Sequence, residues 1–136
     1  MSDSTNTVED GSPNTVEDGA ATDPRRIREY HAHVYYDPAG TRGRAALVRD
    51  RIAAVFPEAR LGRWHDQPVG PHPQAMFQIA FAPELLPGLL PWLMLNRLGL
   101  TVLVHPDTGD DLTDHAEHAA WLGGMLPLRL DVLRKG

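Results

Sequence analysis

Residues 30–37 of the chain read YHAHVYYD, and the interpretation of the fold starts from this stretch. Over residues 27–36, β-branched and aromatic residues alternate with polar ones, which is the period-2 pattern of a β-strand. Because successive side chains of a strand leave opposite faces of a sheet, His31 and His33 share one face, with Cβ atoms roughly 6–7 Å apart. Two imidazoles at this spacing can hold one metal ion, although an exposed polar pair on a solvated face is the simpler interpretation.

The chain after this strand predicts the elements that complete a sheet with two helices. Apolar residues three or four apart between Ala45 and Phe56 indicate an amphipathic helix that ends before Pro57. An edge strand, a central strand, a proline-interrupted helix and a further strand follow over residues 60–69, 74–81, 84–97 and 100–104. This order is typical of an α+β, ferredoxin-like sandwich, in which an antiparallel sheet has helices on one face.

Two more elements are predicted beyond this order. Residues 111–122 indicate an extra C-terminal helix that stops at Gly123 and Gly124. Inside it, Asp114 and Glu117 have the spacing of a capping box. Residues 126–133 are predicted to form either a last strand or an arm.

The alternation in the other strands adds residues to the face that carries the histidines. If the odd-numbered residues of 75–81 face the helices, the even-numbered ones share the open face with the histidines. By the same reasoning residues 102 and 104 point inward, and His105 points outward. The first, third and fourth strands are neighbours in a ferredoxin-like sheet. We therefore expect four side chains to converge on the open face: His31, His33, Gln78 and His105.

Three more histidines lie outside the predicted strands. His72 stands between Pro71 and Pro73, whose rings stiffen the loop. A stiff loop suits a metal ligand or a proton donor, and a polar turn residue explains His72 equally well. His115 and His118 lie three apart on one face of the predicted C-terminal helix, so packing with a hydrogen bond is the simpler interpretation for both.

Length and charge limit the classes of function. A chain of 136 residues fits one domain. Residues 1–24 are acidic, contain no Lys or Arg and repeat the sequence NTVEDG, so we predict a disordered tail there and a single domain over residues 25–136. Without the tail the chain has 13 basic and 12 acidic residues, a near-neutral balance that favours neither nucleic acid nor an anionic membrane as partner.

The residue types present exclude several catalytic classes. The chain has no cysteine, and serine occurs only at positions 2, 4 and 12, so the predicted domain has no thiol or serine nucleophile. A metal would be held by nitrogen or oxygen ligands, and a reducing cytoplasm is the expected location. The longest apolar stretch, residues 85–95, is about half of what a bilayer requires, so we expect neither a membrane span nor a signal peptide.

Four stretches together resemble the DOPA 4,5-dioxygenase family of bacteria and fungi. They are YHAHVYYD at residues 30–37, VGPHPQAMFQIAF at 69–81, PWLMLNR at 91–97 and LTVLVHPDTGDDLTDHAEHAAWLG at 100–123. The resemblance rests on their order and spacing and leaves out the tail and the last dozen residues. It implies a ferredoxin-like fold and an iron-dependent extradiol dioxygenase that cleaves a catechol such as L-DOPA with O₂.

The resemblance also implies a histidine-rich site. His31, His33 and His105 map onto it as metal ligands, His72 as a ligand or acid/base residue, and His115 as a residue that orients a ligand or transfers a proton. The implied cofactor is Fe(II), which Zn or another divalent metal can replace in a purified sample. The implied partners are a small aromatic substrate and O₂, and a homodimer is the expected assembly.

Several assignments stay open. Iron oxygenases often use two histidines and one carboxylate, yet no Asp or Glu is expected on the open face of the central strands. Either three histidines bind the metal or a loop acid completes the set: Asp37, Asp66 or Asp107. Charge alone suggests Arg63 or Arg97 for a substrate carboxylate, and Trp64, Met76 and Trp92 are candidate pocket walls. The alternative function is a non-catalytic ferredoxin-like dimeric module that binds a metal or small molecule without turnover.

Overall fold

The computed structural model describes residues 20–134, and residues 1–19 and 135–136 lie outside this range. The predicted disordered tail falls mostly on the first of these segments and stays a prediction. The helices and strands are, in chain order, β1 (Glu29–Tyr36), α1 (Arg42–Val55), β2 (Arg60–Leu61), β3 (Ala75–Phe81), α2 (Leu86–Asn96), β4 (Val102–Asp107), α3 (Asp111–Ala116) and β5 (Ala120–Leu122). Within residues 20–134, no helix has the length and apolar character needed to cross a membrane.

The strands form one antiparallel sheet in the order β2-β3-β1-β4-β5. β1 lies at the centre, where β3 and β4 pair with its two edges. The first four strands with α1 and α2 have the ferredoxin-like arrangement of two strand-helix-strand units. The predicted α+β fold is therefore confirmed, and β5 extends the sheet beyond β4.

One face of the sheet packs against the helices and forms the main core. Ile52 of α1 and Leu93 of α2 are completely buried there. Burial of one such side chain stabilises the fold by roughly 1.5–3 kcal/mol. The sheet residues of this face alternate with period 2, as predicted for residues 75–81, and are Ala32, Val34, Tyr36, Ala75, Phe77, Ile79, Phe81, Val102 and Val104.

The predicted edge strand over residues 60–69 is much shorter in the structure. Only Arg60–Leu61 pairs with β3, and one isolated bridge between His65 and Met76 follows. Pro68, and Pro71 and Pro73 just beyond the segment, have no N–H to donate to a ladder. The chain instead turns, and the His72 N–H donates to the Val69 carbonyl. This turn is what brings His72 back towards the sheet.

The predicted C-terminal helix over residues 111–122 is wrong in its second half. α3 ends at Ala116, and residues 120–122 form β5 against the edge of β4. The spacing of apolar residues fits a helix, but the edge of β4 carries backbone donors and acceptors that a paired strand satisfies. Tertiary pairing therefore outweighs the local helical pattern.

The start of α3 is also stabilised differently from the predicted capping box of Asp114 and Glu117. Asp110 is the N-cap, and its carboxylate accepts the Thr113 N–H. Asp114 is buried within α3, and its carboxylate accepts the N–H and the hydroxyl of Thr108 at 2.7 and 2.8 Å. Asp114 thus ties α3 to the end of β4 instead of capping the helix.

Residues 126–133 form an arm, which is one of the two predicted possibilities, and not a strand. The arm ends in a 3-10 turn, Leu130–Leu133. The Arg129 N–H donates to the Pro71 carbonyl at 2.8 Å. Leu126 and Leu128 pack on the sheet face opposite the main core. The arm therefore covers part of this second face.

Candidate active site

The second face of the sheet carries His31 and His33 of β1 and His105 of β4. His31 lies opposite both His105 and Ala80 in the strand register, and His33 lies opposite Gln78. The Nε2 atoms of His33 and His105 are 3.1 Å apart. The prediction that these histidines and Gln78 share one face is confirmed.

Two more histidines reach this face from outside the sheet. The His72 ring, on the loop before β3, has its centroid 4.1 Å from that of His33. The His115 ring, on α3, has its centroid 4.0 Å from that of His105. The structure thus brings five imidazoles together: His31, His33, His72, His105 and His115.

The cluster is buried except at His31. His33, His72 and His105 expose 2%, 4% and 3% of their surface, whereas the His31 side chain exposes 21%. Burial, followed by the neighbouring His115, lowers the pKa of His72 to about 3 and that of His105 to about 4. Burial and the surrounding imidazoles hold the pKa of His33 well below its usual value. These rings are therefore neutral at pH 7, the form in which imidazole binds metals.

Backbone carbonyls fix which ring nitrogen of His105 and His115 carries the proton. Nδ1 of His105 donates to the Pro106 carbonyl at 2.9 Å, and Nδ1 of His115 donates to the Asp111 carbonyl at 2.8 Å. Because a carbonyl oxygen only accepts, each ring holds a proton on Nδ1, and the lone pair of its neutral form lies on Nε2. This arrangement is typical of histidines that bind metals.

The geometry of His31, His33 and His105 fits a divalent metal ion. One ring nitrogen of each lies within 4.8 Å of the others, and His33, His72 and His115 form a second group of this kind. Two nitrogens bound to one metal at about 2.0–2.1 Å are about 3.0–3.4 Å apart. The distance between His33 and His105 falls in that range. Nδ1 of His33 is buried and has no hydrogen-bond partner among residues 20–134, so the position of this ring serves the site at a cost in stability.

The prediction that no carboxylate lies on this face is wrong. Glu29 precedes His31 by two residues in β1, and its carboxylate accepts the Nε2–H of His31 at 2.8 Å. This hydrogen bond lowers the pKa of Glu29. Glu29 is also paired across the sheet with Asp107, and these two acids and His31 have ligand atoms within 4.8 Å of one another. Because residues 29, 31 and 33 alternate along one strand, the sequence already placed Glu29 on the same face as His31 and His33.

Two arginines surround the carboxylates at the exposed edge of the cluster. Arg60 forms an ion pair with Glu29, and Arg28 forms one with Asp107 at 3.3 Å. Arg60 lies opposite Ala80 in the register and hence on the histidine face of the sheet. The opening at His31 therefore carries positive and negative charges side by side.

Of the three loop acids considered as ligands, the structure places only Asp107 at the cluster. The Asp66 carboxylate accepts the Tyr36 hydroxyl at 2.5 Å and the Arg42 guanidinium at 2.9 Å. The Asp37 carboxylate accepts a backbone N–H within its own turn. Both acids are engaged in local structure away from the histidines.

The other predicted substrate and wall residues are mostly elsewhere. Arg97 donates to the Met94 carbonyl at the end of α2, and Arg63 is exposed. Trp64 and Trp92 belong to the core on the helix side of the sheet. Only Met76 lies on the histidine face.

His118 does not share a helix face with His115, because α3 ends before it. Its Nδ1 lies 2.9 Å from the Asp114 carboxylate, and the side chain is 38% exposed. The predicted hydrogen bond is therefore present for both residues, but only His115 is also buried, and it joins the cluster.

The sequence interpretation missed Tyr35 and Trp121. Tyr35 follows His31 and His33 with period 2, so the same alternation places it on this face. The Tyr35 hydroxyl lies 2.7 Å from Nδ1 of His72. Trp121 of β5 stacks on the Tyr35 ring with a centroid distance of 6.1 Å. The position of Trp121 depends on β5, which the sequence alone did not reveal.

Comparisons with known proteins agree with this fold. The family model described as the Dopa 4,5-dioxygenase family matches residues 30–132. A crystal structure from Nostoc punctiforme, of a protein provisionally described as a dioxygenase, superimposes with a TM-score of 0.80 at 50% sequence identity. The match covers 83% of this chain and 96% of that protein.

Two curated fungal proteins are also similar. An uncharacterized 21.2 kDa protein from Botryotinia fuckeliana is 37% identical over 117 residues, which cover 78% of this chain and 63% of the relative. A protein named DOPA 4,5-dioxygenase from Amanita muscaria is 34% identical over 111 residues, which cover 76% and 49% respectively. The chain thus spans between about half and two thirds of the length of these relatives.

A ferredoxin-like sheet with helices on one face and a buried histidine cluster on the other defines the structural class of this protein. The chain belongs to the Dopa 4,5-dioxygenase family. The resemblance noted in four sequence stretches is therefore confirmed, and the family and its named relatives point to a dioxygenase.

Proposed function

We propose that the protein is an extradiol ring-cleaving dioxygenase that acts with O₂ on a catechol such as L-DOPA. The observation that carries this proposal is the convergence of imidazoles on one sheet face, three of which offer ring nitrogens within 4.8 Å of one another. Neutral nitrogen donors of this kind suit a divalent transition metal. Membership of the family supports the class of reaction.

We assign His31, His33 and His105 as the ligands of Fe(II). Burial lowers the pKa of His105 to about 4, so at pH 7 no proton competes for its lone pair. When bound to these three imidazoles, Fe(II) would supply the Lewis-acid and redox chemistry that a catechol and O₂ require. Zn(II) favours the same nitrogen donors with higher affinity, so a purified sample can contain it instead.

The proposed reaction breaks one ring bond and consumes one molecule of O₂. The bond that breaks joins a hydroxyl-bearing carbon to the adjacent ring carbon outside the diol. Both oxygen atoms of O₂ enter the product, one in a new carboxylate and one in a new aldehyde. O₂ is the oxidant, and the balance requires no further reductant.

We assign His115 as the residue that accepts a proton from the catechol. Its Nδ1 proton is held by the Asp111 carbonyl, which leaves the Nε2 lone pair as a base beside the His105 ring. His72 contacts the ring of His33 in the same buried region. Both residues are mostly buried, which limits the access of water to the groups that exchange protons with the substrate.

The charged edge at His31 supports a substrate that carries an amino acid group. Arg28 and Arg60 have 65% exposed side chains, and each is beside a carboxylate. The carboxylate of L-DOPA would meet an arginine, and its ammonium group would meet Glu29 or Asp107. A zwitterion satisfies both signs of charge at this opening, whereas an unsubstituted catechol satisfies neither.

The proposed function is tested by loading the metal-free protein with Fe(II) under anaerobic conditions and then adding L-DOPA and air. We expect oxygen uptake equal to the substrate consumed and a yellow ring-opened product. The metal-free protein is the control and should consume no oxygen. If protein with stoichiometric iron takes up no oxygen with any catechol, the dioxygenase proposal fails and the non-catalytic binding module replaces it.

A further inference from the structure

The Tyr35 side chain is fixed on the histidine face, where it is 1% exposed. Its hydroxyl lies 2.7 Å from Nδ1 of His72. Trp121 stacks on its ring at an interplanar angle of 17°, and Met76 and Leu103 pack in the same small cluster. The aromatic ring thus has little freedom to move, and its hydroxyl is held at His72.

The proton of this hydroxyl decides the tautomer of His72. Tyr35 is buried, and a phenol hydroxyl is neutral at pH 7. Among the hydrogen bonds of residues 20–134, its partner is Nδ1 of His72, and a buried O–H that did not donate there would have no acceptor. The hydroxyl therefore donates, Nδ1 of His72 accepts, and the ring proton of the neutral His72 lies on Nε2.

His72 differs in this respect from His105 and His115. Those two rings donate Nδ1–H to a backbone carbonyl and keep a lone pair on Nε2. A lone pair suits a metal ligand or a base, whereas an N–H suits a hydrogen-bond donor. The group bonded to Nδ1 thus divides these three histidines into two kinds. A carbonyl leaves a lone pair on Nε2, whereas the Tyr35 hydroxyl leaves a proton there.

We propose that Tyr35 is a positioning residue that holds His72 as a hydrogen-bond donor to the substrate, and that His72 is not a metal ligand. This inference rests on the proposed function, because it requires a substrate oxygen to accept the hydrogen bond. It also decides between the two roles, ligand or acid/base residue, that the family resemblance implied for His72. Tyr35 acts only through His72.

The tautomer is tested first in the metal-free protein, where turnover plays no part. Two-bond ¹H–¹⁵N spectra of the histidine rings show which nitrogen is protonated. In the wild type we expect His72 with its proton on Nε2, and in Tyr35→Phe we expect a mixture of both tautomers. Tyr36→Phe is the matched control, because the neighbouring hydroxyl donates to Asp66 instead. A wild-type His72 protonated on Nδ1 would overturn the inference.

The second test uses the iron-loaded protein. Tyr35→Phe should lower kcat roughly tenfold, because a displaced donor loses part of an acid/base contribution of about 10²–10⁴-fold. KM and iron content should not change, and Tyr36→Phe should behave as wild type in both. His72→Gln, which keeps an N–H donor, should retain its iron and more activity than His72→Leu.

Two results would contradict the inference even if all variants fold. Loss of iron in His72→Gln would make His72 a ligand, and an unchanged kcat in Tyr35→Phe would remove the role of Tyr35. If the wild-type protein itself takes up no oxygen, the proposed function fails separately. The ring spectra of the metal-free protein then still decide whether Tyr35 sets the tautomer of His72.

Discussion

The two faces of the sheet are supplied by the same strands and have opposite effects on stability. On the helix side, Val34 and Phe77 are completely buried among apolar neighbours. On the other side, His33 and His105 are almost as deeply buried but carry polar ring nitrogens. Because side chains alternate along a strand, each strand contributes to both environments at once.

This difference shows where the free energy of folding arises. Apolar burial contributes roughly 25 cal/mol per Å² on the helix side. The unpaired Nδ1 of His33 costs about 1–3 kcal/mol on the other side. The helix face therefore stabilises a histidine face that is arranged for binding and chemistry, a division of roles that is common at active sites.

The largest loss of activity is expected for His33→Ala, which removes a proposed metal ligand from the centre of the histidine face. We expect loss of bound iron and a fall in kcat of roughly a thousandfold or more, since several kcal/mol of metal assistance disappear. His118→Ala is the matched control, because His118 lies outside the cluster and contacts Asp114. Iron analysis and oxygen uptake measure both variants, and full activity of His33→Ala would remove His33 from the mechanism.

A truncation on the helix face should lower the stability of the protein and leave its iron binding unchanged. Phe77→Ala should lower the free energy of unfolding by about 3–5 kcal/mol, because it leaves a cavity in the core. Iron binding per folded chain should persist under native conditions. His33→Leu is the paired variant. Its metal-free form should be within about 1 kcal/mol of the wild type, because removal of the unpaired Nδ1 of His33 offsets the loss of the partner of His105 Nε2. Urea unfolding measures both variants. Equal losses in their free energy of unfolding would mean that the two faces contribute equally to stability.

The pH dependence of stability should reveal the buried neutral histidines. The pKa values of His72 and His105 are about 3 and about 4 in the folded protein, against about 6.5 in an unfolded chain. Below about pH 6.5 the unfolded chain binds more protons, so stability is complete above this pH and is lost as the pH falls towards 4. Each histidine should contribute a slope of about 1.4 kcal/mol per pH unit.

Urea unfolding of the metal-free protein at about pH 7.5, 6 and 5 measures this slope. His72→Gln should make the slope shallower, since one of the buried rings with a lowered pKa is gone. A stability that does not change across this range would show that the histidines are not buried in their neutral form.

The smallest effect is expected at the exposed edge of the histidine face. Arg60→Gln should raise KM for L-DOPA about three- to tenfold, because an exposed charge contributes less than a buried one. KM for unsubstituted catechol should not change. Arg63→Gln is the control, since Arg63 is exposed and has no part in the Glu29 ion pair. Equal changes for both substrates would argue against recognition of the amino acid group.

The central strands were predictable because their two faces are both buried. A shift of one residue in β1 would move His33 into the apolar core, so its register is strongly determined and appears in the sequence as strict alternation. Glu29 and Tyr35 follow from the same alternation, although it was not extended to them.

The homodimer and the cytoplasmic location stay predictions.

Elements at the edges were less predictable. The edge strand is confined to Arg60–Leu61, and α3 ends at Ala116, because both segments respond to neighbours that are distant in sequence. Trp121 has the apolar spacing of a helix residue and the position of a strand residue. Trp121 lies in a strand because residues 120–122 pair with the open edge of β4, and the local sequence pattern contains no information about that edge.

The sequence by itself determined the ferredoxin-like order of elements and the face on which His31, His33 and His105 lie, because alternation and element order are local properties. The family resemblance already assigned His72 and His115 to the site, whereas their distances from the sheet histidines, the stacking of Trp121 on Tyr35 and the ion pairs at the opening follow from tertiary structure. These arrangements depend on the path of loops and on hydrogen bonds between residues far apart in the chain, such as that between Tyr35 and His72. The physical reason is that periodicity records the direction of a side chain, whereas its partners depend on where the rest of the chain returns.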